Sequence, residues 1–406
     1  MQSHSTKESF KIERLQIASL YLRDKYDFRI NEIKNKTEYK DKGCQNWQPI
    51  GDYNMNTWLI HIQELTDGLK PVITKVDLKI LINSYFFSKE VNPVVEYFES
   101  IEAKGKNSKL SEVEKWIKSF TYNTSKDLAR KYWLHWFFGT MKNLMTERYY
   151  EYMLVLIGGQ GIGKSFAIQH CLAAPFLGYY TDHFSWGKTK DDIVQLAQNF
   201  IIYDDEFKAT SKAEITAVKS MLCKDTISNV RVAYKEYSQD YKRIASFIAC
   251  SNSDKILVDQ TGNRRFLVLD IDKIDRDRIN DIDYDLLWSQ VWNHYHLNNN
   301  VEEIPIQTIN NENEKYRIID TEEELIKKYV DVGNSRGEYY TPFNLVKALQ
   351  VFDHSLKDDE GTLRKMNSIL RQKGLDQLVK KIDGKATRVW EVSVIGSAND
   401  STQSAA

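Results

Sequence analysis

Residues 158–165 read Gly-Gly-Gln-Gly-Ile-Gly-Lys-Ser, between the apolar run MLVLI (153–157) and FAIQHCL (166–172). Glycines at this density allow backbone turns that other residues resist, so several N–H groups can point at one centre. A strand before and a helix after add the positive helix N-terminus, and the whole makes a phosphate cradle. Gly158-x-x-x-x-Gly163-Lys164-Ser165 satisfies the full P-loop pattern. The segment nominates Gly158, Gly159, Gln160, Gly161, Ile162, Gly163, Lys164, Ser165 and Phe166 as ATP-binding residues. Lys164 is expected at the β- and γ-phosphates, and Ser165 on Mg²⁺ through its hydroxyl.

Hydrolysis needs acids at the end of a neighbouring strand. Phe200-Ile-Ile-Tyr-Asp204-Asp205-Glu206 supplies them. We assign Asp205 to the metal shell and Glu206 to the attacking water, with Asp204 the competing ligand. A second apolar strand ends Cys250-Ser251-Asn252, where Asn252 can stand beside the γ-phosphate. Thr261-Gly-Asn-Arg264-Arg265-Phe puts two arginines just before a third strand. Either would serve as an arginine finger in a neighbour's site, which requires a ring of subunits.

The flanking segments differ in pattern. Residues 1–145 read as a mostly helical N-terminal domain, a collar or partner-binding part, with KIERLQIASLYLRDKY and PVVEYFESI at helical spacing. The aromatic stretch LARKYWLHWFFGTMKNLM (128–145) reads as core packing rather than a ligand platform. Residues 146–300 alternate short apolar strands with polar helices, the pattern of an α/β core with a mostly parallel sheet. Capping boxes at Thr189/Asp192 and Ser211/Glu214 mark two helix starts. Residues 301–325 are polar and acidic, a connector or a peripheral helix. Residues 326–395 give helix, helix and a hairpin turning at Asp383-Gly384, a winged-helix-like layout. The tail 396–406 is expected to be disordered.

Composition narrows the partners. With 56 basic and 57 acidic side chains the chain is no globally basic nucleic-acid coat. Residues 361–390 nevertheless hold eight basic side chains and two acidic ones, a local footprint of phosphate binding. Cys44, Cys171, Cys223 and Cys250 show no zinc-ligand spacing. The seven aspartates of 269–285 read as caps and turns rather than a metal site. No signal core opens the sequence and no run nears the roughly 20 apolar residues of a membrane helix, so a cytoplasmic protein without membrane contact is expected.

Four motifs in order resemble the virulence-associated E (VirE/VapE) P-loop ATPases, grouped with superfamily 3 helicases of phages and mobile elements. They are GGQGIGKSFAIQ, IIYDDEFKATSKAEITAVKSML, YKRIASFIACSN and LVDQTGNRRFLVLDI. YDFRINEIKNKTEYK (26–40) and NPVVEYFESIE (92–102) extend the likeness upstream. It departs at EAKGKNSKL (102–110), where relatives often carry Trp-Asp-Gly, and at Asp204, where they usually carry an apolar residue. The resemblance implies an AAA+-like core, a homo-hexamer, and ATP-driven movement on DNA. It maps Lys164 and Ser165 to Walker A, Asp205 and Glu206 to Walker B, Asn252 to the sensor, and Arg264 or Arg265 to the finger. It also implies a hairpin between Walker B and the sensor strand that enters the ring channel. Here that interval, 228–243, interleaves basic and tyrosine side chains, which suits single strands of any sequence. Arg231, Tyr234, Lys235, Lys242 and Arg243 are the candidate DNA contacts.

The expectation is therefore an Mg²⁺-dependent ATPase and DNA helicase or translocase of a mobile element. Its partners would be single-stranded or forked DNA and a primase or origin-binding protein. The competing readings are a regulatory or defence ATPase that switches assembly without unwinding, and a DNA-binding module in which ATP drives assembly alone.

Overall fold

The computed structural model describes residues 2–66, 72–145, 150–187, 189–208, 211–230, 239–258, 263–298, 303–331, 338–382 and 384–395. The chain divides into two compact units, Met1–Tyr316 and Arg317–Ala406.

The first unit begins with helix α1 (Gln2–Lys25) and an antiparallel pair, β1 (Tyr26–Asn31) and β2 (Lys36–Asp41). Strand β3 (Gln48–Pro49), helices α2 (Asp52–Leu65) and α3 (Lys75–Ile82), and β4 (Lys89–Val91) follow. The four strands form one sheet in the order β3-β2-β1-β4. Trp58 anchors the helices here, ringed by Tyr26, Phe28 and Tyr39. Helices take up most of residues 1–145, as expected, and four strands within residues 26–91 add a small sheet. Its strands escape notice because KTEYKD is charged at four of its six positions.

Helices α4 (Pro93–Gly105) and α5 (Ser111–Lys118), strand β5 (Phe120–Tyr122) and helix α6 (Lys126–Leu144) come next. Asn92 and Ser125 start α4 and α6 by accepting backbone N–H groups. In α6, Tyr132, Trp133, Trp136, Phe137 and Met141 are all buried. Trp136 donates its indole N–H to Phe247 O at 2.8 Å, and Asn143 donates to Ala245 O at 3.0 Å. The aromatic stretch is core, as its pattern suggested. The expected division at 145 does not match the packing, since residues 94–144 share one hydrophobic core with 154–309.

That core flanks a six-stranded sheet. Its further strands are β6 (Met153–Ile157), β7 (Tyr180–Thr181) and β8 (Ile201–Asp204). Helices α7 (Lys190–Gln198) and α8 (Lys212–Leu222) flank β8, each opened by its capping box. A separate antiparallel pair, β9 (Thr226–Val230) and β10 (Gln239–Lys242), precedes β11 (Ser246–Ser251) and β12 (Phe266–Ile274). The sheet order is β5-β12-β6-β11-β8-β7. All neighbours are parallel except β5, which runs antiparallel to β12. Strands buried on both faces in this way read as continuous apolar runs, as MLVLI does.

Helices α9 (Arg276–Asn280), α10 (Tyr284–Asn298) and α11 (Ile306–Asn313) complete the unit. In the aspartate-rich run, Asp275 and Asp283 accept backbone N–H groups, Asp281 pairs with Lys115, and Asp285 takes Tyr97 and Lys104. Residues 303–316 are no connector, because Ile304 and Ile309 lie in the main core and Asn313 donates to Asn263 O and Phe266 O.

The second unit holds α12 (Thr321–Tyr329), β13 (Val330–Asp331), β14 (Tyr339–Tyr340), α13 (Pro342–Leu349), α14 (Glu360–Gln372), β15 (Leu378–Ile382), β16 (Lys385–Glu391) and β17 (Ser393–Val394). Its sheets are β14-β16-β15 and β13-β17. The expected two helices and hairpin are present; Asp383 and the tail 396–406 lie outside the described residues. Among the described residues no helix is long and apolar enough to cross a membrane.

Candidate functional site

The glycine-rich loop leaves the C-terminal end of β6 and runs into a helical segment with π-type pairing, Phe166–Leu172. Glycine is required at its first position by crowding, since a Cβ on Gly158 would lie 2.3 Å from Ile271 O. At Gly163 the backbone is left-handed, with φ +104°, which side-chain-bearing residues rarely adopt. The loop is therefore fixed where β12 passes β6, not merely tolerant of many shapes.

Lys164 is 5% exposed. Its ammonium donates to Gly158 O at 2.7 Å, Gly159 O at 2.9 Å and Asn252 Oδ1 at 3.0 Å. Burial lowers its pKa, and the nearby Asp205 carboxylate opposes that shift. Ser165 donates its hydroxyl to Asp205 Oδ1 at 2.5 Å, and Tyr203 donates to the same oxygen. Strand β11 lies between β6 and β8, so Lys164, Ser165, Asn252 and Asp205 meet at the C-terminal edge of three adjacent parallel strands.

The three consecutive acids separate by direction. Asp204 accepts from Trp186 Nε1 at 2.7 Å, and burial raises its pKa. Asp205 turns to Ser165. Glu206 is largely exposed, 3.8 Å from Lys208. A serine hydroxyl and a carboxylate, both hard oxygen donors, fit Mg²⁺, which takes few protein ligands and completes its shell with water and phosphate. Asp204 is occupied by the indole, so Asp205 is the acid the geometry offers to a metal.

Arg264 and Arg265 sit at the other end of the sheet, just before β12 begins. Arg265 pairs with Glu151 at 2.9 Å, whereas Arg264 is 42% exposed and 3.9 Å from the same carboxylate. Glu151 precedes β6 and the glycine loop follows it, so the five residues of β6 separate the arginines from their own loop by about 16 Å.

Arg231, Tyr234 and Lys235 lie outside the described residues. Lys242 is exposed on β10. Arg243 is corrected: it is 3% exposed, and its guanidinium donates to Ala245 O, Leu222 O, Met221 O, Lys224 O and Tyr150 O. It ties β11 to the end of α8 and is not available to a polyanion.

One residue at the loop escaped the sequence reading. Arg276 opens α9, and its Nε would lie 3.2 Å from a Cβ on Gly163. Its guanidinium stands 5.6 Å from the centroid of the Phe166 ring. A cation therefore borders the phosphate loop from within the same chain. The 112 positions between Gly163 and Arg276 hide the pairing from any local motif.

A family model of the virulence-associated protein E-like domain matches residues 101–324. The match covers α5 to α11 and omits the small N-terminal sheet, where the resemblance had been expected to extend. Among solved structures, the apo NrS-1 C-terminal region is similar at 12% identity and a TM-score of 0.52, covering 94% of this chain and 99% of that one. The A form of that region gives 12% identity and a TM-score of 0.48 over the same shares of the two chains. At such identity the likeness is one of fold. No curated protein matches.

Arg243 generates a prediction. Arg243→Ala should lower unfolding stability by about 3 kcal/mol or more, because several buried carbonyls lose their donor. Chemical denaturation of the variant measures this; wild-type stability with weakened DNA binding would restore Arg243 to the DNA.

Proposed function

The chain belongs to the virulence-associated protein E-like family, and we propose that it is an Mg²⁺-dependent ATPase that moves on or opens DNA during replication of a phage or mobile genetic element. The observation that carries this reading is the meeting of Lys164, Ser165, Asn252 and Asp205 on one sheet edge, with Ser165 and Asp205 in direct hydrogen bond. The strand order, with β11 between the loop strand and the acidic strand, supports the AAA+-like core that the family resemblance implies. The order α12, β14, α13, α14, β15, β16 supports a winged-helix-like second unit.

In this reading the glycine loop wraps the triphosphate with backbone N–H groups, and Lys164 turns its ammonium to the β- and γ-phosphates. Ser165 and Asp205 would hold Mg²⁺, which supplies positive charge to the phosphate oxygens. Tyr203 steadies the Asp205 carboxylate by its hydrogen bond. Glu206, exposed beside the acidic strand end, accepts a proton from the attacking water, and Asn252 orients that water. Arg276 contacts the nucleotide from the same chain. Arg264 reaches a neighbour's nucleotide, since β6 holds it away from its own. That requirement supports a ring, with the hexamer drawn from the resemblance. Single-stranded or forked DNA would pass the segment 228–243, and a primase or origin-binding partner would act beside it.

ATP turnover measured with and without single-stranded DNA, alongside separation of a forked duplex, tests the reading. Turnover should rise with single strands, the fork should open, and Lys164→Ala should cut kcat/KM by at least about a hundredfold. ATP-dependent assembly that leaves the fork intact would favour the regulatory switch, and full activity of Lys164→Ala would refute the site. Arg276→Ala should raise the KM for ATP about tenfold, the scale of one lost charged hydrogen bond, while kcat changes little. An unchanged KM would remove Arg276 from the nucleotide site.

A further inference from the structure

The second unit carries a surface that ATP hydrolysis leaves unused. Helix α14 divides by face. Met366, Ile369 and Leu370 join the unit's core. Arg364, Ser368, Arg371 and Gln372 are exposed and line a shallow depression together with Asn367. Their spacing of four, three and one places them on one side of the helix. No apolar or aromatic side chain lies among them, so this face offers little to a partner held by hydrophobic burial, and nothing on which an unpaired base could stack. Arg364 pairs with Glu360 at 2.6 Å, both ends in solvent, a contact that a phosphate readily displaces.

The hairpin is fastened to this face. Asn367 Oδ1 accepts from Trp390 Nε1 at 2.7 Å and from Gln377 Nε2 at 3.2 Å. The register sets Lys381 opposite Ala386 and Val379 opposite Arg388, so Lys381 and Arg388 share one side of the hairpin. Lys380 opposite Thr387 and Ile382 opposite Lys385 put the other two cations on the reverse side. All four are exposed. Residues 378–382 and 385–390 contain no carboxylate, the one acid of the two strands being Glu391 at the far end of β16.

We propose that the second unit binds duplex DNA. Helix α14 lies in the major groove, presenting Arg364, Arg371 and Gln372 to base edges. The hairpin places Lys381 and Arg388, which share one side of it, on the flanking phosphates. A helix fits the roughly 12 Å major groove, and arginine and glutamine are the side chains that pair with guanine and adenine edges there. The hairpin cations give affinity by releasing counterions. The occupant follows from charge and side-chain chemistry together: eight basic against two acidic side chains in residues 361–390, on a helix face without rings. This binding does not rest on the ATPase reading and needs no nucleotide.

The test uses the full chain without nucleotide. Fluorescence anisotropy reads its binding to a labelled duplex of about 20 base pairs and to a single strand of the same length, across a range of salt. The duplex should bind more tightly. Arg364→Ala/Arg371→Ala should weaken duplex binding about tenfold or more. Lys381→Ala/Arg388→Ala should weaken it and flatten the salt slope by about two. Both variants should keep wild-type basal ATP turnover. If the helix variant fails to unfold cooperatively, Arg364→Lys/Arg371→Lys reads the same face with charge retained, and should still lose several-fold affinity. Single-strand binding as tight as duplex binding, or a folded variant within about twofold of wild-type duplex affinity, overturns the proposal. A wild-type chain that binds duplex but hydrolyses no ATP would count against the ATPase reading alone.

Discussion

Ser165 and Asp205 meet at 2.5 Å because β6 and β8 end on the same edge of one parallel sheet. Everything at the candidate site follows from that edge. Strand β11, lying between them, brings Asn252 to the ammonium of Lys164. Strand β12 runs past the end of β6 and presses Ile271 O to the first glycine, so that no side chain fits there. The loop's first position is thereby set by its neighbours. A preorganised loop of this kind can point its N–H groups at a polyanion without reorganising first.

The site was legible where its chemistry is local in sequence. The glycine spacing of 158–163, the acids after FIIY and the SN strand ending identify themselves because each stands at the exit of an apolar run. What distinguishes Asp204 from Asp205 is Trp186, whose indole takes the first carboxylate from a distant turn. Arg243 looked like one more cation of a basic hairpin, yet five carbonyl groups claim it inside the fold. Arg276 was invisible for the opposite reason, since only the packing of β12 against β6 sets it beside Gly163. The N-terminal sheet was missed because charged side chains fill KTEYKD, so its period of two carries little apolar signal. The boundary at 145 failed because α6 looked like the end of a helical domain, whereas Trp136 and Asn143 fasten it to β11.

The two ends of β6 divide the proposed labour. At one end stand the loop, the metal-binding pair and Arg276, all from a single chain. At the other, Glu151 holds Arg265 firmly and Arg264 loosely. Arg265 thereby acts as a strut, and Arg264 is left to reach outward. Under the proposed function, a parallel sheet would give each subunit both a site lacking its last cation and a cation lacking a site. Such a heterologous contact closes into a ring when its rotation permits. A catalytic group that arrives only with assembly would couple ATP turnover to the presence of neighbours, and through them to whatever occupies the channel.

The most direct test of this account is complementation between two inactive variants. Arg264→Ala retains its own loop and Glu206, while Glu206→Gln retains its own Arg264. Each alone should hydrolyse ATP poorly. An equal mixture that forms mixed assemblies should recover roughly a quarter of the wild-type turnover, the share of interfaces in which an intact Glu206 meets a neighbour's Arg264. Mixed assemblies no more active than their separate components would contradict the claim that Arg264 completes a neighbouring site.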